Sequence, residues 1–130
     1  MPDINLIHFD QLGLIDVLML STDARLDELT FGVIGFDGEG VVRRYNTFES
    51  AISGLSPKNV LGCPLFTDVT PCMNNFMVAQ RFEDARELGT DLDDTIDYVL
   101  TLRMRPIRVS LRLLSTVAGP MRFILVKRVP

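Results

Sequence analysis

The sequence predicts an α+β domain: a five-stranded antiparallel sheet with flanking short helices and an N-terminal helical cap. Three observations carry this expectation. Apolar patterns run in the order helical, two strands, several short helices, one longer helix, three strands. Period-two alternation is plain in "IRVSLRLL" and "FILVKRV" near the C-terminus. A length of 130 residues with 47% hydrophobic and 23% charged content describes one globular domain with chain enough for one sizeable core.

Taken in order, residues 3–20 place Ile4, Leu6, Ile7, Leu14, Ile15 and Leu18 at helical spacing, and Gly13 interrupts them, so one or two short helices are expected. Residues 23–29 read as another short helix capped by Thr22 or Asp23. Residues 1–25 thus form the expected cap and residues 26–130 the core of one domain. Phe31, Val33 and Ile34, the turn Asp37-Gly38-Glu39-Gly40, then Val41, Val42 and Tyr45 spell a hairpin. There the Asp-Gly step is expected to supply the positive φ. Gly54, Pro57, Gly62 and Pro64 break the next stretch into brief helices. "FMVAQRFEDARELG" (76–89) is the best helix, with Phe76, Ala79, Phe82 and Leu88 near one face and Gly89 as C-cap. Strands are expected over 92–102, 107–114 and 121–129, punctuated by Pro106 and by Ala118-Gly119-Pro120.

Composition narrows the function. A net charge of -4 argues against a nucleic-acid surface. Arg103, Arg105, Arg108 and Arg112 alternate with Leu, Val and Ser, which reads as the wet face of a strand. Cys63 and Cys72 are too few for a disulfide framework, no secretory pattern opens the chain, and no apolar run nears the ~20 residues that span a bilayer. A reducing cytoplasm is the expected compartment, with no membrane contact. His8 is the sole histidine, so sites built on several imidazoles are excluded and no metal is expected. A cysteine hydrolase or transferase would need His8 as its base, and no oxyanion-loop pattern accompanies it. We read the chain as no enzyme.

Read singly, the polar candidates are bland. Cys72 would be an ordinary buried thiol, Cys63 a packing residue, Glu49 a solvated helix charge, Tyr45 a half-buried aromatic, Met104 a gap filler and His8 a surface or cap residue. The element order matches a PAS-type sensory domain. The spaced pattern "FGVIGFDGEGVVRRYNTFESAISG", then Pro57, "VLG" and "LFTDVTPC", continued through "DYVLTLRMRP" to "FILVKRV", resembles the photoactive yellow protein family. That family carries a Phe-Gly strand start, an Asp-Gly-x-Gly turn, a Tyr-Asn pair with Glu four residues after the Tyr, and Asp-Val-x-Pro-Cys. The resemblance covers residues 26–129.

The resemblance implies a blue-light photoreceptor carrying p-coumaric acid (4-hydroxycinnamic acid) as a thioester on Cys72. It implies that Tyr45 and a protonated Glu49 hold the phenolate and that Ser53 supports the tyrosine. Met104 would assist dark recovery, and Ile34, Thr70, Phe66, Tyr98 and Leu100 would wall the pocket. It also implies signalling by trans-cis isomerisation, proton transfer from Glu49 and loosening of the cap, with an unidentified downstream signalling protein and a monomer or weak dimer. Leu55 stands where family members carry a shielding arginine, Thr70 where alanine is usual, and Leu100 where an aromatic is expected. A chromophore-free PAS domain that binds another small ligand or a partner protein is the alternative. The residues suit the implied chemistry. Tyr45 and Glu49, four apart, project from one side of a helical turn. Glutamate donates only if burial raises its pKa, and Phe48, Ala51 and Ile52 are the expected apolar setting.

Overall fold

The computed structural model describes residues 7–102 and 105–129. Two strands, β1 (Gly32–Asp37) and β2 (Val42–Tyr45), form the expected hairpin. Three more, β3 (Leu92–Leu102), β4 (Arg105–Ser115) and β5 (Met121–Arg128), complete one antiparallel sheet in the order β2-β1-β5-β4-β3. β1 and β5 therefore meet at the centre, from opposite ends of the chain. Their register sets Ile34 against Ile124 and Val33 against Leu125.

Alternation along the central strands makes a sheet with two apolar faces. Val33, Leu114, Phe123 and Leu125 face one way, where α1 (Leu14–Leu20) and α2 (Asp23–Leu26) bring Leu14, Leu18 and Leu26 over them. Phe9 and Phe31 close this layer edge to face, with centroids 5.6 Å apart. Ile34, Phe36, Leu111, Leu113, Ile124 and Val126 face the other way. There α3 (Thr47–Ser53), α4 (Pro57–Val60), a π-helical turn (Leu65–Val69), a 3-10 turn (Pro71–Met73) and α5 (Ala79–Leu88) cover them.

Several expectations need correction. The hairpin's positive φ falls on Gly40 (83°), not on the Asp-Gly step. The Asp37 side chain instead closes the turn by accepting from Glu39 N and Val41 N at 2.9 and 3.0 Å. The expectation of one or two helices before Thr22 is met by one among the described residues, which starts after Gly13 at φ 67°. In α5 the buried residues are Phe82 and Ala85; Phe76 lies before the helix, and both it and Leu88 are exposed. Pro106 does not interrupt β4 but lies inside it, opposite Thr101.

Arg112 departs furthest. It was expected on a wet face, and it is only 4% exposed. Its position shares the face of Leu114, which the N-terminal segment covers. Its Nε and Nη2 bond both carboxylate oxygens of Asp93 at 2.8 Å. Nη1 donates to the carbonyls of Phe9 and Gln11, each at 2.8 Å. The bidentate contact holds the Asp93 carboxyl below its ordinary range. Arg108, by contrast, is exposed as expected.

Arg112→Ala removes two charge-assisted bonds to the cap. It is expected to cost about 1–3 kcal/mol and to speed proteolysis within residues 8–13. Hydrogen exchange of the same segment checks this, and unchanged protection there would refute the assignment.

Candidate functional site

The site begins at the end of β2. Asn46 caps α3: its Oδ1 accepts from Glu49 N at 3.0 Å and also from Val33 N at 2.9 Å. Its Nδ2 donates to Leu26 O at 2.8 Å and Phe31 O at 3.0 Å. All four hydrogen-bonding capacities of one buried amide are used, which locks α3 to β1 and to the cap. Tyr45 and Glu49 then point inward from either side of this cap. Tyr45 ends β2 and Glu49 lies in the first turn of α3, so the pair straddles a strand-to-helix junction rather than sharing a helix.

Glu49 is 1% exposed, and its Oε1 has no hydrogen-bond partner among the described residues. Burial pushes its pKa from 4.5 to about 8, so the neutral acid is the resting form at neutral pH. The expected apolar setting is only partly right. Phe48 and Ile52 are half-buried, whereas Ala51 is exposed. What crowds the carboxyl is Gly32 on β1: a Cβ there would overlap Oε1 and lie 3.2 Å from Glu49 Cβ and Cδ. Only a residue without a side chain leaves room.

Tyr45 Oη lies 2.7 Å from Ser53 Oγ, inside the core. Burial raises the Tyr45 pKa, the Glu49 carboxyl adds to the effect, and the Ser53 bond opposes it. The phenol therefore keeps its proton and can donate. Ser53 Oγ also accepts from Leu55 N at 3.1 Å, and Leu55 O accepts from Ser50 Oγ at 2.7 Å. The leucine thus sits in a backbone-bonded bend and packs against the core.

Cys72 lies in the 3-10 turn, half-buried and unpaired, as is Cys63. Burial pushes its thiol pKa up, and the Glu49 carboxyl contributes in the same direction, while backbone hydrogen bonds from Thr101 and Cys72 itself oppose it. Ile34, Thr70 and Leu100 are buried; Phe66 and Tyr98 are half-buried against the same cluster. Tyr98 offers more than a wall, since its Oη donates to Cys72 O at 2.6 Å. Met104 lies outside the described residues. His8 is exposed.

This donor set fits an anchored phenol. A half-buried thiol can carry an acyl group, and a protonated tyrosine and a neutral carboxyl whose Oε1 has no partner among the described residues can donate to an anionic oxygen. It suits nucleophilic catalysis poorly, because a thiol held protonated by burial is a weak nucleophile. Asn46 and Gly32 are the residues that sequence reasoning passed over. Asn46 was legible as an N-cap signal before "TFES"; the space at Gly32 was not.

Comparison with known proteins agrees with this geometry. No protein-family model matches the chain. The chain is 32% identical over 124 residues to photoactive yellow protein of Rhodothalassium salexigens, covering 95% of this chain and 98% of that one. Its fold superposes on the photoactive yellow protein domain of the sensor histidine kinase Ppr from Rhodospirillum centenum. There the TM-score is 0.77 at 37% identity, over 83% of this chain and 94% of that one. The PAS domain of an HTR-like protein from Haloarcula marismortui matches at TM-score 0.59 and 18% identity, over 82% and 91% of the two chains, which extends the likeness to the PAS fold. No helix among the described residues is long and apolar enough to cross a membrane.

Two expectations follow from the buried acid. The folded chain holds the Glu49 proton up to about pH 8, while the unfolded chain releases it near 4.5. Between these values the folded state binds more protons, so stability falls as pH rises. The contribution is fully present below pH 4.5 and lost by about pH 8, with a slope of up to about 1.4 kcal/mol per pH unit. Urea titrations of the chromophore-free chain across this window should show the slope, and Glu49→Gln should flatten it. Gly32→Ala should cost about 1–3 kcal/mol by overpacking, and Gly32→Ala combined with Glu49→Ala should recover part of that loss in the same titration.

Proposed function

Because the chain belongs to the photoactive yellow protein family, we propose that it is a blue-light receptor carrying p-coumaric acid as a thioester on Cys72. The observation that carries this reading is the neutral Glu49 carboxyl, buried with Oε1 unpartnered, in the same core as a half-buried cysteine. Buried polar atoms are nearly always hydrogen-bonded, so an orphan of this kind calls for a partner. An anionic phenol oxygen between Tyr45 and Glu49 would supply one.

When bound, p-coumaric acid supplies a blue-absorbing phenolate and a double bond that light turns from trans to cis. The chain's residues do the rest. Tyr45, aligned by Ser53, holds the phenol end in place. Ile34, Phe66, Thr70, Tyr98 and Leu100 wall the pocket, and Met104 assists return to the dark state. Leu55 packs against the pocket where an arginine would have offered a charge. Glu49 keeps its proton in the dark and gives it up after illumination. Its ionised form would then stand buried without a countercharge, at a cost of several kcal/mol. Unpaired burial is relieved when the domain loosens, and the cap of residues 1–25 is the element released.

The cap is suited to that role. Asn46, one turn from Glu49, bonds directly to Leu26 O beneath it. A shift of α3 therefore reaches the end of α2, where the cap joins the core, through Asn46 and through the bond from Thr47 N to Asp27 Oδ1. The loosened face would engage a downstream signalling protein. We place the receptor in the cytoplasm, as a non-enzymatic monomer or weak dimer.

The test is to express the chain with activated p-coumaric acid. A visible band that bleaches in blue light and recovers in darkness is expected, as is a colourless Cys72→Ala variant. A colourless parent chain with a free Cys72 thiol would overturn the proposal in favour of a PAS domain that binds another small ligand or a partner protein. In the yellow protein, Glu49→Gln should move the band to longer wavelength and weaken the light-induced structural change seen by circular dichroism. An unmoved band would remove Glu49 from the phenolate site.

A further inference from the structure

One polar cluster beside the candidate site is not used by any of these roles. Cys72 O accepts two hydrogen bonds, from Tyr98 Oη at 2.6 Å and from Asn75 Nδ2 at 3.1 Å. Asn75 Nδ2 also donates to Tyr98 Oη at 2.7 Å, which closes a three-membered ring of bonds. Meanwhile Asn75 Oδ1 accepts from Met77 N at 3.0 Å and Val78 N at 3.2 Å, at the entry to α5. Every donor and acceptor of the Asn75 amide is occupied, and turning it over would break the bonds to Cys72 O, Met77 N and Val78 N.

We infer that Asn75, acting with Tyr98, is a positioning residue that fixes the direction of the Cys72 side chain. The inference rests on the reading of Cys72 as the anchor for its purpose, though not for its geometry. The link from carbonyl to side chain runs through one Cα. A carbonyl held by two donors fixes the peptide plane that follows Cys72. With Pro71 before it in a 3-10 turn, the Cα–Cβ bond has little freedom left. The grip comes from two elements at once. Tyr98 stands on β3, an edge strand of the sheet, and Asn75 is tied to the start of α5. The same strand also reaches the thiol, through the backbone of Thr101. Neutral donors at a half-buried site hold geometry without adding charge, so the anchor is oriented while its thiol stays protonated.

Two substitutions separate this role from simple structural support. Asn75→Ser keeps a side-chain acceptor for the entry to α5 and adds no charge, yet cannot reach Cys72 O as a donor. Tyr98→Phe removes the second donor. In a Cys63→Ala background, alkylation of Cys72 by iodoacetamide in the chromophore-free chain should accelerate about fivefold in each variant, the rate equivalent of one ordinary hydrogen bond. The double variant should be no faster than about twice the faster single, because both donors serve one carbonyl. The rates should not climb in low urea, which marks reorientation rather than local unfolding. In the chain loaded with p-coumaric acid, each variant should move the absorption band.

Rates within about 1.5-fold of the parent in both single variants would overturn the inference, as would rates that climb in low urea or multiply in the double variant. The two failures are distinguishable. If the parent chain takes up no chromophore, the photoreceptor reading falls while alkylation still tests the clamp. If the parent is yellow and alkylation is unchanged, the clamp falls and the photoreceptor reading stands.

Discussion

The carboxyl of Glu49 lies out of reach of water, with Oε1 unpartnered and its proton retained to about pH 8. Such a group is tolerated only where its surroundings cannot rearrange to expose or pair it. Gly32 leaves room for the carboxyl against β1 and nothing to spare. Asn46 prevents α3 from turning, because its amide is bonded to Val33, Glu49, Phe31 and Leu26 together. The acid is therefore held in an unfavourable setting by bonds made elsewhere, as strained functional groups usually are. Tyr45 and Ser53 inherit their positions from the same junction.

That junction also links the two faces of the sheet. Val33 packs under the cap and Ile34, its neighbour, packs under α3 and the turns. One peptide group separates the two environments. Asn46 sits at that boundary and touches both. Arg112 closes the far side, where β3 and β4 hold the carbonyls of Phe9 and Gln11. The cap is thus fastened by the Asn46 amide at its boundary with the core, by Arg44 on β2, which bonds Ser21 O and Asp23, and by the Arg112 guanidinium on β4. The first of these is bonded directly to the backbone of Glu49.

Much of the architecture was legible in the chain because strand alternation is a local signal. The hairpin and the last three strands fall near their expected places. Failures occurred where a residue's environment is supplied from far away in sequence. Alternation assigned Arg112 to the correct face, but could not tell that residues 9–11 cover that face. Glu49 was read from neighbours such as Ala51, which is exposed, while Gly32 does the crowding. The start of α5 was misread because Phe76 and Met77 are apolar and look helical. The chain is held there by the side chain of Asn75, so regular helix begins only at Ala79. Tyr45, Glu49, Ser53 and Cys72 stand out by resemblance alone, since none of them, read singly, points to a shared site.

The bonds from Arg112 to Phe9 and Gln11 span 103 and 101 residues of chain. The surface beneath the cap takes Val33 from β1, but Leu114, Phe123 and Leu125 come from β4 and β5, the last strands in chain order. A ribosome therefore delivers the cap first and its seat last. Until β4 and β5 are in place, the apolar residues of the cap have only Leu29, Phe31 and Val33 of that layer to pack on. Loop closure over such a distance also makes its docking among the later events of folding. The element that joins the fold late is the one whose departure leaves the rest of the sheet intact. Assembly order and ease of release are, in this topology, the same property.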